Sequence, residues 1–92
     1  MGRRIRARVF VFGRVQGVCY RATTRETARE RGVEGWVKNR SDGRVEAVFE
    51  GGEESVESMV EWCRTGSRKA RVDAVEVDYE DPVGVENFEI RR

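Results

Sequence analysis

The sequence predicts an α+β fold: an antiparallel sheet with two helices on one face, in the order βαββαβ, and a short extra strand at the C-terminus. Three observations carry this. Runs of apolar–polar alternation are interleaved with two helix-compatible segments. Asp42-Gly43 falls between two alternating runs, a strong hairpin signal. Val56, Met59, Val60 and Cys63 recur at i, i+3, i+4 and i+7, the single apolar stripe of a helix laid on a sheet.

Taken in order, Ile5, Ala7, Val9 and Val11 alternate with Arg6, Arg8, Phe10 and Phe12, as in a strand with one buried face. Ala22 to Arg31 is rich in Glu, Arg and Ala and stops at Gly32, which suits the left-handed position just past a helix end. Glu34 to Asn39 and Arg44 to Glu50 flank the turn at Ser41-Asp42-Gly43. Gly51-Gly52 breaks the chain before a second helix from Glu53 to Arg64. Thr65 to Ala70 reads as a basic loop, Arg71 to Tyr79 as a strand and Phe88 to Ile90 as a short last strand. This order is the ferredoxin-like plan. Its right-handed crossover makes strands one and two parallel, with strand three between them. Phe12 and Asn39, which close those two strands, therefore fall at one edge of the sheet, roughly 10 Å apart.

Gly13-Arg14-Val15-Gln16-Gly17-Val18-Cys19-Tyr20-Arg21 is where this topology meets chemistry. A strand ends in a two-glycine loop, a helix begins, and an arginine stands near its start. Unpaired N–H groups at a helix start point at a bound oxyanion, and the helix dipole favours negative charge there. The spacing therefore predicts that the N–H groups of Val15, Gln16, Gly17, Val18, Cys19 and Tyr20 cradle a phosphoryl group, while the planar Arg21 guanidinium grips two of its oxygens. Alone, Arg21 would be an ordinary helix-surface arginine; its place after the glycine loop changes that. Neither G-x-x-x-x-G-K-[ST] nor G-x-G-x-x-G occurs. Cys19 stands only two residues before Arg21, too close for the longer Cys-to-Arg loop of cysteine-dependent phosphatases. Cysteine also resists the positive φ that glycine tolerates, so Cys19 bears on the loop's geometry.

Composition narrows the function further. The 92 residues form one domain spanning 1–92, large enough for a single core. The formal net charge of +1 argues against a dedicated nucleic-acid binder, although nine arginines against two glutamates precede Gly32. No segment reaches the roughly 18 apolar residues of a membrane span, and no signal peptide is evident, so a cytoplasmic location is expected. Histidine is absent, which excludes a histidine base or nucleophile. Two cysteines cannot make a zinc site by themselves. We therefore expect no metal and no cofactor. Cys63 reads as a small core hydrophobe, and both thiols are expected to be free. Trp36 and Trp62 read as packing residues, and Arg68 and Lys69 as a solvated loop at the same end as the glycine loop.

Gly13 to Arg21 reads GRVQGVCYR, and Gly35 to Glu46 reads GWVKNRSDGRVE. In this order and spacing the two motifs resemble the acylphosphatases, and the resemblance runs from about Arg6 to the C-terminus. Cys19 and Tyr20 depart from the family, which more often has Gly and Phe there. The resemblance implies a ferredoxin-like fold and hydrolysis of acyl phosphates to carboxylate and inorganic phosphate. It also implies that Asn39, by itself only a plausible turn residue, orients the attacking water. The chemistry is self-consistent. A carboxylate leaving group needs no general acid, and the loose transition state needs its equatorial oxygens neutralised and its water aligned. The expected partner is thus a small-molecule acyl phosphate, with no nucleic acid and no membrane, and the expected state is a monomer. The alternative is a non-catalytic ferredoxin-like module binding anions or RNA through the basic N-terminal third.

Overall fold

The computed structural model describes residues 3–92; Met1 and Gly2, the first two residues of the expected domain, lie outside them. The elements are β1 (Arg4–Arg14), α1 (Tyr20–Glu30), β2 (Glu34–Asn39), β3 (Val45–Gly52), α2 (Glu53–Cys63), β4 (Arg71–Glu80) and β5 (Phe88–Arg91). The five strands form one sheet in the order β4-β1-β3-β2-β5, so β3 lies between β1 and β2 as the crossover argument requires. Asp42 closes the β2–β3 turn by accepting the Arg44 N–H at 3.1 Å and its Nε–H at 2.9 Å.

One face of the sheet and the helices enclose the core. Ile5, Ala7, Val9 and Val11 of β1 are buried there with Val45, Ala47 and Phe49 of β3. The α2 stripe of Val56, Met59, Val60 and Cys63 covers them. Phe88 brings β5 into this core by stacking on Phe49, with centroids 5.7 Å apart. Helix α1 begins two residues before the expected start, at Tyr20, whose ring is buried against Trp62.

Two expectations need correction. The sheet is mixed, because β5 pairs parallel to β2, with Gly35 opposite Phe88 and Lys38 opposite Arg91. The reason lies in the connection. Strand β4 occupies one edge, and the segment 81–87 carries the chain to the other edge, where β5 runs back in the direction of β2. Nor is the helix-free face simply solvated. Arg6 and Glu46 are buried on it and Glu50 is fully buried. Arg6 donates to Glu50 at 3.1 Å and to Glu80 at 3.0 Å, and Arg8 bridges Glu46 and Glu80. The 81–87 segment closes over Glu50, which accepts the N–H groups of Val83, Gly84 and Val85 at 3.0, 2.7 and 3.3 Å.

Candidate active site

Gly13 ends the regular part of β1. Its φ is +130°, and a Cβ there would lie 2.2 Å from the Arg71 carbonyl oxygen of β4, so the loop leaves the sheet where only glycine fits. Gly17 has φ +73° in open space. Cys19, the residue before α1, also adopts the left-handed region, at φ 61° and ψ 23°. A non-glycine residue there costs about 1–2 kcal/mol. Its carbonyl is held by the N–H and the hydroxyl of Thr23, at 3.1 and 2.9 Å. The cysteine thus adopts a conformation ordinarily left to glycine.

Among the described residues, none of the N–H groups of residues 15–22 donates to a protein acceptor. The loop is instead held through its other atoms. Gln16 Nε2 donates to the carbonyls of Arg40 and Arg44 at 2.8 and 2.9 Å, the two ends of the β2–β3 turn. Ser67 Oγ donates to the Val18 carbonyl at 2.7 Å. The Tyr20 hydroxyl donates to the Cys63 carbonyl at 2.8 Å, satisfying an end-of-helix oxygen of α2. Burial raises the pKa of that hydroxyl, which therefore stays protonated, and pushes the Cys63 thiol up to about 12. Cys63 is buried and Cys19 exposed, and both thiols are free.

These constraints shape a cleft of about 560 Å³ lined by Val15, Gly17, Cys19, Tyr20, Arg21 and Asn39, with Ala22, Ile90 and Arg92 completing its wall. Val15, Gly17, Cys19, Tyr20 and Arg21, expected at the phosphate, thus share one cleft with Asn39. Gln16 and Val18 belong to the loop but do not line the cleft; the Gln16 side chain turns toward the turn carbonyls. Asn39 ends β2, and its Oδ1 is buried with no hydrogen-bond partner among the described residues. No Asp or Glu side chain lines the cleft. Among the described residues no group of three or more Cys, Asp or Glu side chains is disposed to hold a metal. Arg68 and Lys69 lie outside the cleft wall, although their loop touches the site through Ser67 and Gly66.

Sequence reasoning missed Ile90 and Arg92. Reaching them required knowing that β5 runs parallel to β2, which delivers its C-terminal end to the cleft. The short Phe88–Ile90 signal gives the existence of that strand and not its direction.

Comparison with known proteins agrees with this geometry. The acylphosphatase family model matches residues 7–90. A protein named acylphosphatase from Natronomonas pharaonis is 68% identical over 92 residues, covering 100% of both chains. Its namesake from Haloarcula marismortui is 66% identical over 86 residues, 94% of each chain. Among solved structures, the acylphosphatase of Bacillus subtilis superposes with a TM-score of 0.92 at 39% identity, covering 96% of this chain and 99% of that one. No helix among the described residues is long and apolar enough to cross a membrane. A family match across nearly the whole chain, joined to full-length relatives this similar, shows that the chain belongs to the acylphosphatase family, hydrolases of acyl phosphates.

Proposed function

We propose that the cleft hydrolyses small acyl phosphates without a metal ion, with Arg21 and the N–H groups of Val15 to Tyr20 holding the phosphoryl group and Asn39 orienting water. One observation carries this reading: a row of free N–H groups, an arginine without a carboxylate partner and a buried, unpartnered amide oxygen meet in one cleft. The N–H groups and the guanidinium place positive charge where the equatorial oxygens of a loose transition state develop negative charge. The Asn39 Oδ1 is an acceptor that a water molecule can satisfy, aligning one of its lone pairs on phosphorus. The leaving carboxylate departs without a proton, so the missing histidine costs nothing. A phosphoryl oxygen of the substrate can take the water's proton. Phosphate monoesters, whose alkoxide leaving groups require an acid, should be poor substrates. The acyl phosphate is pictured as a small molecule acted on by a cytoplasmic monomer, with no nucleic-acid partner.

The test is turnover of benzoyl phosphate together with competitive inhibition by inorganic phosphate. Arg21→Ala should lower turnover by about 10²–10³, the usual effect of losing one oxyanion contact, and should weaken phosphate inhibition. Arg21→Lys should recover little, because an ammonium cannot reproduce the fork. Asn39→Ala should collapse turnover to a small residual rate while inorganic phosphate still binds nearly as well, measured by calorimetry. Activity should survive a chelator. If Asn39→Ala weakened phosphate as much as Arg21→Ala does, the division of roles would be wrong. Activity lost in chelator and restored by Mg²⁺ would overturn the mechanism.

A further inference from the structure

A trans peptide group carries its C=O and its N–H on opposite sides, so whatever holds the carbonyl also aims the N–H of the next residue. Three successive carbonyls at the end of the phosphate loop are held. Thr24 Oγ1 donates to that of Tyr20 at 2.7 Å, and Thr23 donates to that of Cys19 through its N–H and its hydroxyl. Both of these donors belong to α1 itself. The Val18 carbonyl is held from elsewhere, by Ser67 Oγ at 2.7 Å, and among the described residues no backbone N–H reaches it. Ser67 is buried in the connection between α2 and β4. Its place is fixed on either side. Gly66 lies against the Tyr20 ring, where a Cβ would come 2.3 Å from Cε2, and the Ser67 carbonyl accepts the Ala70 N–H at 3.0 Å. Cys19 lines the cleft and Ser67 does not. The Cys19 N–H, aimed away from Ser67, is therefore turned to the cleft.

This hold works against the local backbone. Cys19 is left-handed, at φ 61°, a conformation that is unfavourable for a residue with a Cβ and free of cost for glycine. Turning the Val18–Cys19 peptide over changes only ψ of Val18 and φ of Cys19, and it brings Cys19 back to negative φ. The turned peptide would present a carbonyl oxygen to the cleft in place of an N–H, an acceptor facing an anion. We propose that Ser67 is a positioning residue for the phosphoryl site: its hydroxyl holds the Val18–Cys19 peptide with the N–H toward the bound anion, against the strain of a left-handed cysteine. The inference rests on the reading of this loop as the phosphoryl cradle. It also couples Ser67 to Cys19, because glycine at position 19 would remove the strain that the anchor opposes.

The experiment measures Kd for inorganic phosphate by calorimetry, and kcat and KM for benzoyl phosphate. It compares the unmodified protein, Ser67→Ala, Cys19→Gly and the double variant. In Ser67→Ala the turned peptide becomes populated in the free protein, and a bound anion draws it back. Apparent affinity is then reduced by the fraction left in the competent state. Kd and KM should rise together by about tenfold, the scale of one lost hydrogen bond, while kcat at saturation changes much less. A mere loss of folded protein would lower kcat and leave KM unchanged. In the Cys19→Gly background, Ser67→Ala should raise Kd and KM by about twofold at most, because glycine takes positive φ about as readily as negative. No rise in Kd and KM under Ser67→Ala would overturn the proposal. So would an equal rise in both backgrounds, since a left-handed cysteine would then not be what Ser67 restrains. Should Ser67→Ala fail to fold, amide NMR of the unmodified protein decides: the Cys19 N–H should shift downfield as phosphate binds. A response of the other loop amides without Cys19 would refute the aim of that N–H. Silence of every amide from Val15 to Tyr20 would instead refute the phosphoryl reading of the loop.

Discussion

Glu50 offers the sharpest test of what holds this fold together. Its side chain is fully buried on the helix-free face, where it accepts Arg6 Nη1 and three consecutive N–H groups of the 81–87 segment. Arg6 is itself buried, with 8% of its surface exposed. Glu50→Ala would leave the buried Arg6 Nη1 and three N–H groups without their acceptor. Breaking a buried pair in this way costs about 3–5 kcal/mol, against a total of about 5–15 kcal/mol for a typical domain. The melting temperature should fall by roughly 12–40 °C, at about 4–8 °C per kcal/mol in a chain this short. Glu80→Gln is the control. Glu80 also holds Arg6 and Arg8, but its side chain is 35% exposed, so its loss should cost only about 0–1 kcal/mol. Urea denaturation of the two variants measures both values. A Glu50→Ala loss no larger than that of Glu80→Gln would refute the reasoning.

The same carboxylate gives a pH dependence with a definite sign. Burial pushes the Glu50 carboxyl upward, but the N–H groups of Val83 and Gly84, the Arg6 guanidinium and the Val85 N–H outweigh it and hold it below the usual range. Glu80 is held low as well, by Arg8 and then Arg6. A carboxyl whose pKa is lower folded than unfolded contributes stability that is complete above its unfolded value, about 4.3. That contribution is lost as pH falls through the folded value. Stability should therefore be flat near neutrality and decline below about pH 4, and Glu50→Gln should flatten the decline.

Two further predictions concern the walls of the cleft. Tyr20→Phe leaves the Cys63 carbonyl without its donor; urea melts should show a loss of about 1–3 kcal/mol, and an unchanged midpoint would mean that water replaces the hydroxyl without cost. Gln16→Leu frees the Arg40 and Arg44 carbonyls that tie the phosphate loop to the turn after Asn39. Steady-state kinetics should show kcat down about tenfold or more through misplacement of Asn39, with phosphate inhibition changed little. In an Asn39→Ala background the same change should have no further effect, and additive losses would show that Gln16 does not act through Asn39.

Much of this was legible in the sequence because the signals were local. Alternation along β1 and the stripe on α2 each report one buried face, and Asp42-Gly43 specifies its own turn. The two motifs locate Arg21 and Asn39, and the topology brings them to one edge. What was not legible depended on segments that meet only in space. Arg6, Glu46 and Glu50 look like solvent-facing positions of half-buried strands, since a charged residue in an alternating run reads as exposed. Arg6 and Glu50 are buried where a connection with no periodicity of its own closes over Glu50, and Glu46 where Arg8, Lys38 and Arg40 gather around it. Cys19 shows a different limit. Residue type argues against the left-handed region, and the loop imposes it because the Cys19 carbonyl starts α1 by accepting two bonds from Thr23.

The two faces of the sheet use the same residue types for different ends, and the difference lies in what stands opposite them. On the helix-free face arginines meet glutamates across neighbouring strands, and positive charge is neutralised while it ties β1, β3 and β4 together. At the cleft the arginines come from a helix start and a strand end, and no Asp or Glu side chain lines the wall between them. Positive charge left uncompensated costs stability in the empty protein, because the cations repel one another and the loop N–H groups remain unsatisfied. An anionic ligand removes both costs at once. Binding should therefore stabilise this end of the molecule by RT ln(1 + [L]/Kd), with the gain greatest at low salt, where the charges are least screened. The ion-paired face should show no comparable response to phosphate. That contrast places the anion-dependent part of the fold at the cleft, separate from the network that holds the sheet.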